Sequence, residues 1–439
     1  MPESRGRPHV PSLTVFSMRT TPERVIGDAH TQASPLETGP APLKRSSLMA
    51  VLVCWLLIVF DGYDLIVYGT VQSSLLAEPG WGLTKATAGT IGSAAFLGML
   101  IGALLAGRLA DLLGRRRTIL ACSIAFSVLT VLCAFAPNPF VFGGLRLLAG
   151  IGLGGLVPSV NALTAELIPD RWRSAMATLM MSGVPIGGSI AALTGIVAIP
   201  AFGWRSMFLL AVVGLVVLVP LGFKYLPETL EHPASADRSD RGPKTGFGSL
   251  LRAPYRGASI LFAAITLATL FAWYGLGTWL PNLMQLSGYN LGSALTFALA
   301  LNLGAVAGSI VTGWAGVRFG TMRTAATAAA LAAAALLMLV SQPPVAVVYL
   351  ALILAGVGTH GTQALVIAAV ASRYPEQLRG TALGWALGLG RIGAVMAPQV
   401  GGLLLAAGLG VSSNFIAFAA AAALAATLLG VLVRRERTA

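Results

Sequence analysis

Twelve apolar runs of about 20 residues divide this chain, and each is long enough to cross a lipid bilayer as a helix. The chain is 56% hydrophobic and only 10% charged, whereas soluble domains carry about 25% charged residues. Closed barrels show short alternating segments instead of long apolar runs, so helices are the predicted spanning element. The runs fall near residues 47–69, 86–106, 118–136, 139–164, 175–198, 205–223, 258–280, 292–316, 322–341, 344–371, 380–404 and 412–433. The sequence therefore predicts an all-α membrane protein with twelve transmembrane helices.

The net charge of +13 reflects topology. If the N-terminus is cytoplasmic, 25 of the 29 Lys and Arg residues fall in the tails or in inward-facing loops; the exceptions are Lys85, Arg146, Arg205 and Arg391. This positive-inside bias predicts that both termini are cytoplasmic, in a multi-pass protein of the plasma membrane. A nucleic-acid partner is not expected. The N-terminal segment lacks the apolar core of a signal peptide.

The two halves of the chain repeat at a constant offset of 206 residues. GMLIGALLAGRLADLLGRRR (98–117) aligns with GAVAGSIVTGWAGVRFGTMR (304–323), and the register holds without a gap for another sixty residues. Such a repeat predicts two pseudo-symmetric six-helix bundles and a transporter that binds its substrate between them. The expected segments are a disordered cytoplasmic tail (1–46), a first bundle (47–223), a cytoplasmic linker (224–256), a second bundle (257–433) and a short cytoplasmic tail (434–439).

Asp61 and Asp64 lie three residues apart within the first apolar run and are the only two of the sixteen acidic residues deep inside a run. Residues with this spacing share one face of a helix. Ionisable groups inside a membrane are costly and typically mark ion or proton pathways. Because burial and mutual repulsion disfavour two charges, we expect at least one carboxyl to bind a proton during transport. A structural role in capping a kink at Gly62 is the alternative.

Several motifs resemble those of the major facilitator superfamily. GRLADLLGRRR (107–117) is similar to its signature loop, and Arg146 with LLAGIGLGG is similar to its fourth-span motif. DGYD (61–64) and RGTALGWALGLGRIGAVMAP (379–398) resemble segments of the aromatic acid:proton symporter family, and other segments look most like benzoate transporters. The resemblance implies the major facilitator fold, with Asp61, Asp64 and Arg146 in proton coupling. One departure is Val317, which stands where family members keep an acid matching Asp111.

Two arginines lie inside apolar runs, and each admits two interpretations. Arg146 is either the proton-relay partner of the first-run aspartates, as the family motif implies, or part of a purely structural ion pair. Arg391 aligns with Pro185 and so breaks the repeat. A guanidinium can hold a carboxylate through two parallel hydrogen bonds, which favours substrate binding by Arg391 over a structural or gating pair. The other predicted substrate-site residues are His360, Gln363, Tyr274 and Trp385.

The loop after the second run is predicted to gate the cytoplasmic side. Its glycines permit close helix approach, and its charges can pair across the bundle when that side closes. The alternative is a simple positive-inside cluster. The predicted gating residues are Gly107, Asp111, Gly114, Arg115, Glu166, Arg173 and Arg379.

The sequence therefore predicts a transporter, and not an enzyme, that imports an aromatic carboxylate together with H+. Benzoate is the leading substrate on resemblance alone. The alternatives are a symporter of a hydroxylated acid such as 4-hydroxybenzoate and a drug:proton antiporter of the same superfamily. The chain has no P-loop and its three cysteines lack metal-ligand spacing, so no cofactor or metal is expected. The protein is expected to function as a monomer.

Overall fold

The computed structural model describes residues 45–228 and 247–438, without the side chains of a few residues inside these ranges. The predicted N-terminal tail lies almost entirely outside the described residues, as does most of the predicted linker. The described chain is helical throughout its membrane segments, and twelve of its helical segments are long and apolar enough to cross a membrane. The prediction of an all-α protein with twelve spans is confirmed.

The helices are numbered in chain order. They are α1 (Arg45–Leu76), α2 (Lys85–Leu113), α3 (Arg115–Cys133), α4 (Pro139–Leu167), α5 (Asp170–Phe202), α6 (Arg205–Leu209), α7 (Val219–Tyr225), α8 (Phe247–Leu250), α9 (Arg256–Leu286), α10 (Leu291–Phe319), α11 (Thr321–Met338), α12 (Val345–Arg373), α13 (Glu376–Ala406) and α14 (Gly410–Thr438). A π-helical turn, Gly214–Leu218, joins α6 to α7 in the sixth span, and a 3-10 turn, Leu339–Ser341, extends α11.

Local sequence explains where these helices begin. Thr84 caps α2 through a capping box with Thr87, and Asn290 caps α10 by accepting a hydrogen bond from the Ser293 amide. Gly114 and Gly320 occupy the sharp corners that follow α2 and α10, with φ of 91° and 95°. A residue with a Cβ is strained at such positive φ values, so both corners favour glycine.

The helix boundaries reproduce the sequence repeat. The first and last residues of α2 and α4 recur 206 positions later as the first and last residues of α10 and α12. The packing recurs as well: a Cβ at Gly98 would overlap the carbonyl oxygen of Leu147, and one at Gly304 would overlap that of Ile353. Small residues let membrane helices approach closely, so these glycines set the α2–α4 and α10–α12 distances in the two halves.

The two halves meet mainly where α1 packs on α9, α2 on α13 and α5 on α10. We call the end of the bundle where α1 terminates the upper end, and the end where α1 begins the lower end. At the upper end, Thr90 donates a hydrogen bond to Gln399 (2.8 Å) and Ser93 donates one to the carbonyl of Val395 (2.6 Å). Ser73 accepts hydrogen bonds from Asn282 (2.8 Å) and Gln285 (2.9 Å). The upper end is therefore closed by contacts between the halves.

The halves separate toward the lower end. In α13, a Cβ built at Gly380, Gly384 or Gly388 would meet no atom within 4 Å. Val317, at the lower end of α10, is 92% exposed. A cavity of about 330 Å³ lies at this end, between α5 of the first half and α10 and α12 of the second half.

Candidate functional site

The two aspartates of α1 have different surroundings. Asp64 turns into the first half, where Thr130 of α3 donates a hydrogen bond to one carboxylate oxygen (2.7 Å). Arg146 of α4 donates to the other oxygen (2.8 Å) and also to the backbone carbonyl of Asp64 (3.0 Å). Both charged side chains are 1% exposed. Asp64 and Arg146 thus form a buried ion pair with both carboxylate oxygens hydrogen bonded.

Asp61 lines the cavity between the halves and is 0% exposed. Neither of its carboxylate oxygens has a hydrogen-bond partner among the residues that the structure describes. An isolated ionised carboxylate is very unfavourable in an apolar environment, so a buried acid without a donor is stable only with a proton or an approaching cation. Asp61 is therefore the acid of this pair that is free to exchange a proton or to contact a ligand.

The cavity has a volume of about 180 Å³ and is lined equally by the two halves. This volume is below the ~300–1,000 Å³ of typical drug-sized ligand sites, and it suits a ligand with a single ring. Its first-half lining consists of Ile58, Asp61, Met99, Val157, Asn161, Met180, Met181 and Val184. Its second-half lining consists of Leu270, Trp273, Tyr274, His360, Gln363, Ile367, Leu387 and Arg391. The wall is mostly apolar, with polar groups at a few defined positions.

Arg391 of α13 supplies the only basic Lys or Arg side chain among these lining residues. It is half-buried and forms no ion pair with a described residue. Gln363 of α12 is buried, and its side-chain carbonyl oxygen has no hydrogen-bond partner. The cavity thus combines a guanidinium able to bind an anion with an amide oxygen able to accept a hydrogen bond.

Aromatic side chains form one wall of the cavity. The Tyr274 ring packs on Phe96 of the other half with 4.6 Å between centroids, and the Trp273 ring packs on His360 with 5.1 Å. The Nε2 atom of His360 is 3.2 Å from the carbonyl oxygen of Met181, which joins α12 to α5. His360, Gln363, Tyr274 and Arg391 therefore lie together, as predicted from the sequence.

Trp385 does not join this group. Its indole N–H donates a hydrogen bond to the carbonyl of Ser259 (3.0 Å), at the first turn of α9, and the residue is not part of the cavity wall. Trp385 therefore lies apart from the other predicted substrate residues in this structure, and its contact with substrate stays a prediction.

The predicted gating residues are only partly brought together. Arg115, at the start of α3, forms an ion pair with Glu166 of α4 (2.7 Å), and Gly114 forms the corner before it. A Cβ at Gly107 would meet no atom within 4 Å, and Arg379 is exposed at the start of α13. The side chains of Asp111 and Arg173 lie outside those described. The Arg115–Glu166 pair lies within the first half, so its role in gating stays a prediction.

A separate ion pair anchors the upper end of the first half. Glu78, in the loop after α1, accepts hydrogen bonds from the Trp204 indole (2.7 Å) and from Arg205 (2.8 Å). Partial burial raises the pKa of Glu78, but these donors and the Arg205 charge outweigh it and hold the pKa below its ordinary value of 4.5. This pair joins the loop after α1 to the start of α6.

Sequence reasoning missed Asn161 as a lining residue and Thr130 as a partner of Asp64. The sequence repeat contains a signal that could have identified Asn161. At the offset of 206 residues, Val157 matches Gln363 and Asn161 matches Ile367, and all four line the cavity. Each matched pair holds one polar and one apolar residue. In these two pairs, the polar residue that breaks the repeat lies at a cavity position.

The model of the Major Facilitator Superfamily matches residues 54–323 and 296–439 of the chain. A gentisate transporter from Corynebacterium glutamicum is 59% identical to the chain over 395 residues, covering 89% of this chain and 88% of the relative. A benzoate transport protein from Acinetobacter baylyi is 35% identical over 407 residues, covering 85% and 87% of the two chains.

The fold is also shared with solved structures. The crystal structure of a D-xylose-proton symporter superposes with a TM-score of 0.70 at 18% identity, covering 87% of this chain and 97% of that chain. At this level of identity the likeness concerns the fold alone. The two-bundle architecture predicted from the repeat is confirmed by this match.

Proposed function

This chain belongs to the Major Facilitator Superfamily of membrane transporters, and we propose that it imports an aromatic carboxylate together with protons across the cytoplasmic membrane. One observation carries the proposal. Arg391, without an ion pair, and Asp61, without a hydrogen-bond partner, line one small aromatic cavity from opposite halves. A monoanionic ring compound fits this arrangement of charge and shape.

Arg391 is the proposed ligand of the substrate carboxylate. A guanidinium binds a carboxylate through two parallel, charge-assisted hydrogen bonds, which fix orientation as well as charge. The aromatic ring would then lie against Tyr274 and Trp273, with Met99 and Leu270 completing an apolar wall. Apolar and aromatic linings with a few placed polar groups are typical of small-molecule sites.

Within the aromatic acids, we favour gentisate, a dihydroxylated benzoate, over unsubstituted benzoate. The relative named for gentisate is 59% identical, and the one named for benzoate is 35% identical. The cavity chemistry agrees with this order, because the Gln363 carbonyl oxygen, which has no partner among the described residues, can accept a hydrogen bond from a ring hydroxyl. A benzoate ring offers no such donor and would leave that oxygen unpaired, which costs about 1–3 kcal/mol. Benzoate, the substrate predicted from sequence resemblance, is the comparison compound in the test.

Protons would offset the charge of the substrate. Importing an anion into a negatively charged cell is opposed by about 2.3 kcal/mol per 100 mV. One proton per carboxylate removes this opposition, and a second makes the membrane potential a driving force. Asp61 is the proposed carrier at the cavity, and the Asp64–Arg146 pair is the proposed second site, since neutralising Asp64 would weaken its ion pair with Arg146.

The proposed orientation follows the positive-inside bias, with the lower end of the bundle in the cytoplasm. The structure then corresponds to a state closed to the outside and open toward the inside. Transport would proceed by rocking of the two halves about the cavity, as repeat-built transporters do. The contacts at Ser73, Thr90 and Ser93 would break when the outer side opens.

Uptake of radiolabelled gentisate by cells that express the chain tests the proposal, with benzoate as competitor and a protonophore as a second condition. We expect saturable gentisate accumulation that collapses with the protonophore, and weaker competition by benzoate than by unlabelled gentisate. Accumulation unaffected by the protonophore would reject proton coupling. Tighter competition by benzoate would assign the cavity to the unsubstituted acid.

The antiporter alternative gives a different result in the same cells. A drug:proton antiporter would lower the accumulation of a cationic dye in an energised cell and would leave gentisate outside. The unpaired Arg391 in the cavity argues against a cationic substrate, because like charges repel in a low-dielectric site.

A further inference from the structure

A second set of buried polar groups lies between the Asp64–Arg146 pair and the upper end of the bundle, and the proposed function gives it no role. Tyr68 and Gln72 follow Asp64 on the same face of α1, at intervals of four residues. From Asp64 to Gln72 the helix rises about 12 Å. These residues therefore connect the ion pair to the end of α1.

The Gln72 amide lies near the Tyr68 hydroxyl, but not in hydrogen-bond geometry. Gln72 is 0% exposed, and neither its amide nitrogen nor its amide oxygen has a hydrogen-bond partner among the described residues. A buried amide without partners is unfavourable, and such groups are commonly satisfied by buried water. The Nε atom of Arg146, the α4 residue paired with Asp64, is also buried without a partner among the described residues.

Tyr68 lies between Asp64 and Gln72 on α1. It is 3% exposed, and its hydroxyl donates a hydrogen bond to the carbonyl of Ala88 (2.6 Å). The Tyr68 side chain lies near Gln72, and the charge of Arg146 acts on it through space. A hydroxyl both donates and accepts, so Tyr68 can take part in a hydrogen-bonded chain that a purely apolar residue would interrupt.

We propose that Gln72 and Tyr68 form the outer proton route to Asp64, with water completing the chain between their polar groups. The inference rests on the proposed function. A hydronium ion at the upper end would give up one proton and become water. The Asp64 carboxylate would gain that proton, and Arg146 would keep its charge while its ion pair with Asp64 breaks.

The position of Ser73 explains how access to this route could be controlled. Ser73 is the residue after Gln72, and it joins the halves by accepting hydrogen bonds from Asn282 and Gln285 of α9. Opening of the upper end would break these bonds and admit water beside Gln72. The substrate cavity opens toward the lower end in this structure, whereas Asp64 is not part of the cavity wall. The proton bound by Asp64 and the substrate would therefore reach the protein by separate paths.

Proteoliposomes containing the full chain test the route, using radiolabelled gentisate in two assays. Net uptake driven by a proton gradient requires proton movement, whereas counterflow exchange of gentisate at equal pH does not. The variant Gln72→Met keeps the side-chain length and removes the amide, and Tyr68→Phe keeps the ring and removes the hydroxyl. Thr70→Val is the matched control, since Thr70 is buried on the same helix and its hydroxyl bonds only to the Val67 carbonyl (2.7 Å).

We expect Gln72→Met to lower gradient-driven uptake at least 10-fold while counterflow stays within two-fold of the unmodified protein. Tyr68→Phe should also lower gradient-driven uptake while counterflow stays unchanged. Thr70→Val should change neither assay, and Gln72→Asn should keep part of the gradient-driven uptake that Gln72→Met loses. Gradient-driven uptake by Gln72→Met within two-fold of the unmodified protein would overturn the route. An equal loss in both assays would also overturn it, because that result indicates a structural role. If a proton gradient does not increase gentisate uptake by the unmodified protein, the proposed function is rejected instead.

Discussion

Replacing Asp64 by Asn tests the difference between the two aspartates of α1. The change removes one charge from an ion pair in which both side chains are 1% exposed, and it leaves Arg146 as a buried cation without its counter-ion. Removing one partner of a buried ion pair typically lowers the free energy of unfolding by about 3–5 kcal/mol. The low end applies here, because Asn can still accept from Thr130 and the backbone carbonyl of residue 64 still accepts from Arg146. We therefore expect Asp64→Asn to lower the free energy of unfolding by about 3 kcal/mol.

The assay is thermal unfolding of the purified protein in detergent, with Asp61→Asn as the matched control. At about 2–4 °C per kcal/mol for domains the size of each half, Asp64→Asn should lower the unfolding temperature by about 6–12 °C. Asp61→Asn should leave it nearly unchanged, because the Asp61 carboxylate has no hydrogen-bond partner to lose. Equal destabilisation by both variants, or a larger effect of Asp61→Asn, would refute the assignment of the ion pair to Asp64.

Three further variants test Arg391 in the cavity, the close approach of α1 to α9 at the upper end, and the Glu78–Arg205 ion pair. Arg391→Lys should weaken apparent gentisate affinity about 10-fold, since an ammonium lacks the paired donors of a guanidinium. The control is Arg318→Lys, an exposed arginine of α10 outside the cavity wall, and equal affinities of the two variants would remove Arg391 from the site. Gly69→Ala should hinder upper-end closure, because its Cβ would overlap the Gly277 carbonyl oxygen. A cysteine placed at Asn282 should then react faster with an impermeant thiol reagent, whereas Gly144→Ala, with no atom within 4 Å, should leave the rate unchanged. The Glu78 anchor should stabilise the protein fully above pH 4.5 and lose its effect as pH falls through the lowered pKa of Glu78. Glu78→Gln should remove that acid sensitivity from the unfolding temperature. If the pH dependence of the unfolding temperature is the same in the variant, the Glu78–Arg205 ion pair does not stabilise the protein.

Much of the fold follows from the sequence because a membrane leaves few options for an apolar run. The run near 47–69 predicts a span, and the structure has a helix there, although α1 continues to Leu76. The continuation is polar at Gln72 and Ser73, which periodicity of apolar residues cannot detect. The sixth span contains a π-helical turn at Gly214–Leu218, next to the Phe60 ring, and this local contact has no signature in the run itself.

The site was only partly predictable because rotation about a helix decides which neighbour a side chain meets. A spacing of three residues puts Asp61 and Asp64 on one broad face, yet Asp64 contacts Thr130 inside the first half while Asp61 lines the cavity. The sequence left open which aspartate holds Arg146, and the tertiary packing places Asp64 there. Trp385 shows the same limit, since its ring lies against the start of α9 and not at the cavity.

Coupled movement of protons and an aromatic carboxylate is the central claim, and proteoliposomes with a pH-sensitive dye inside test it most directly. Gentisate is added outside at equal internal and external pH, so that only the substrate gradient drives transport. We predict acidification of the interior that follows gentisate entry and is lost in Asp61→Asn. Gentisate entry without acidification would contradict the account.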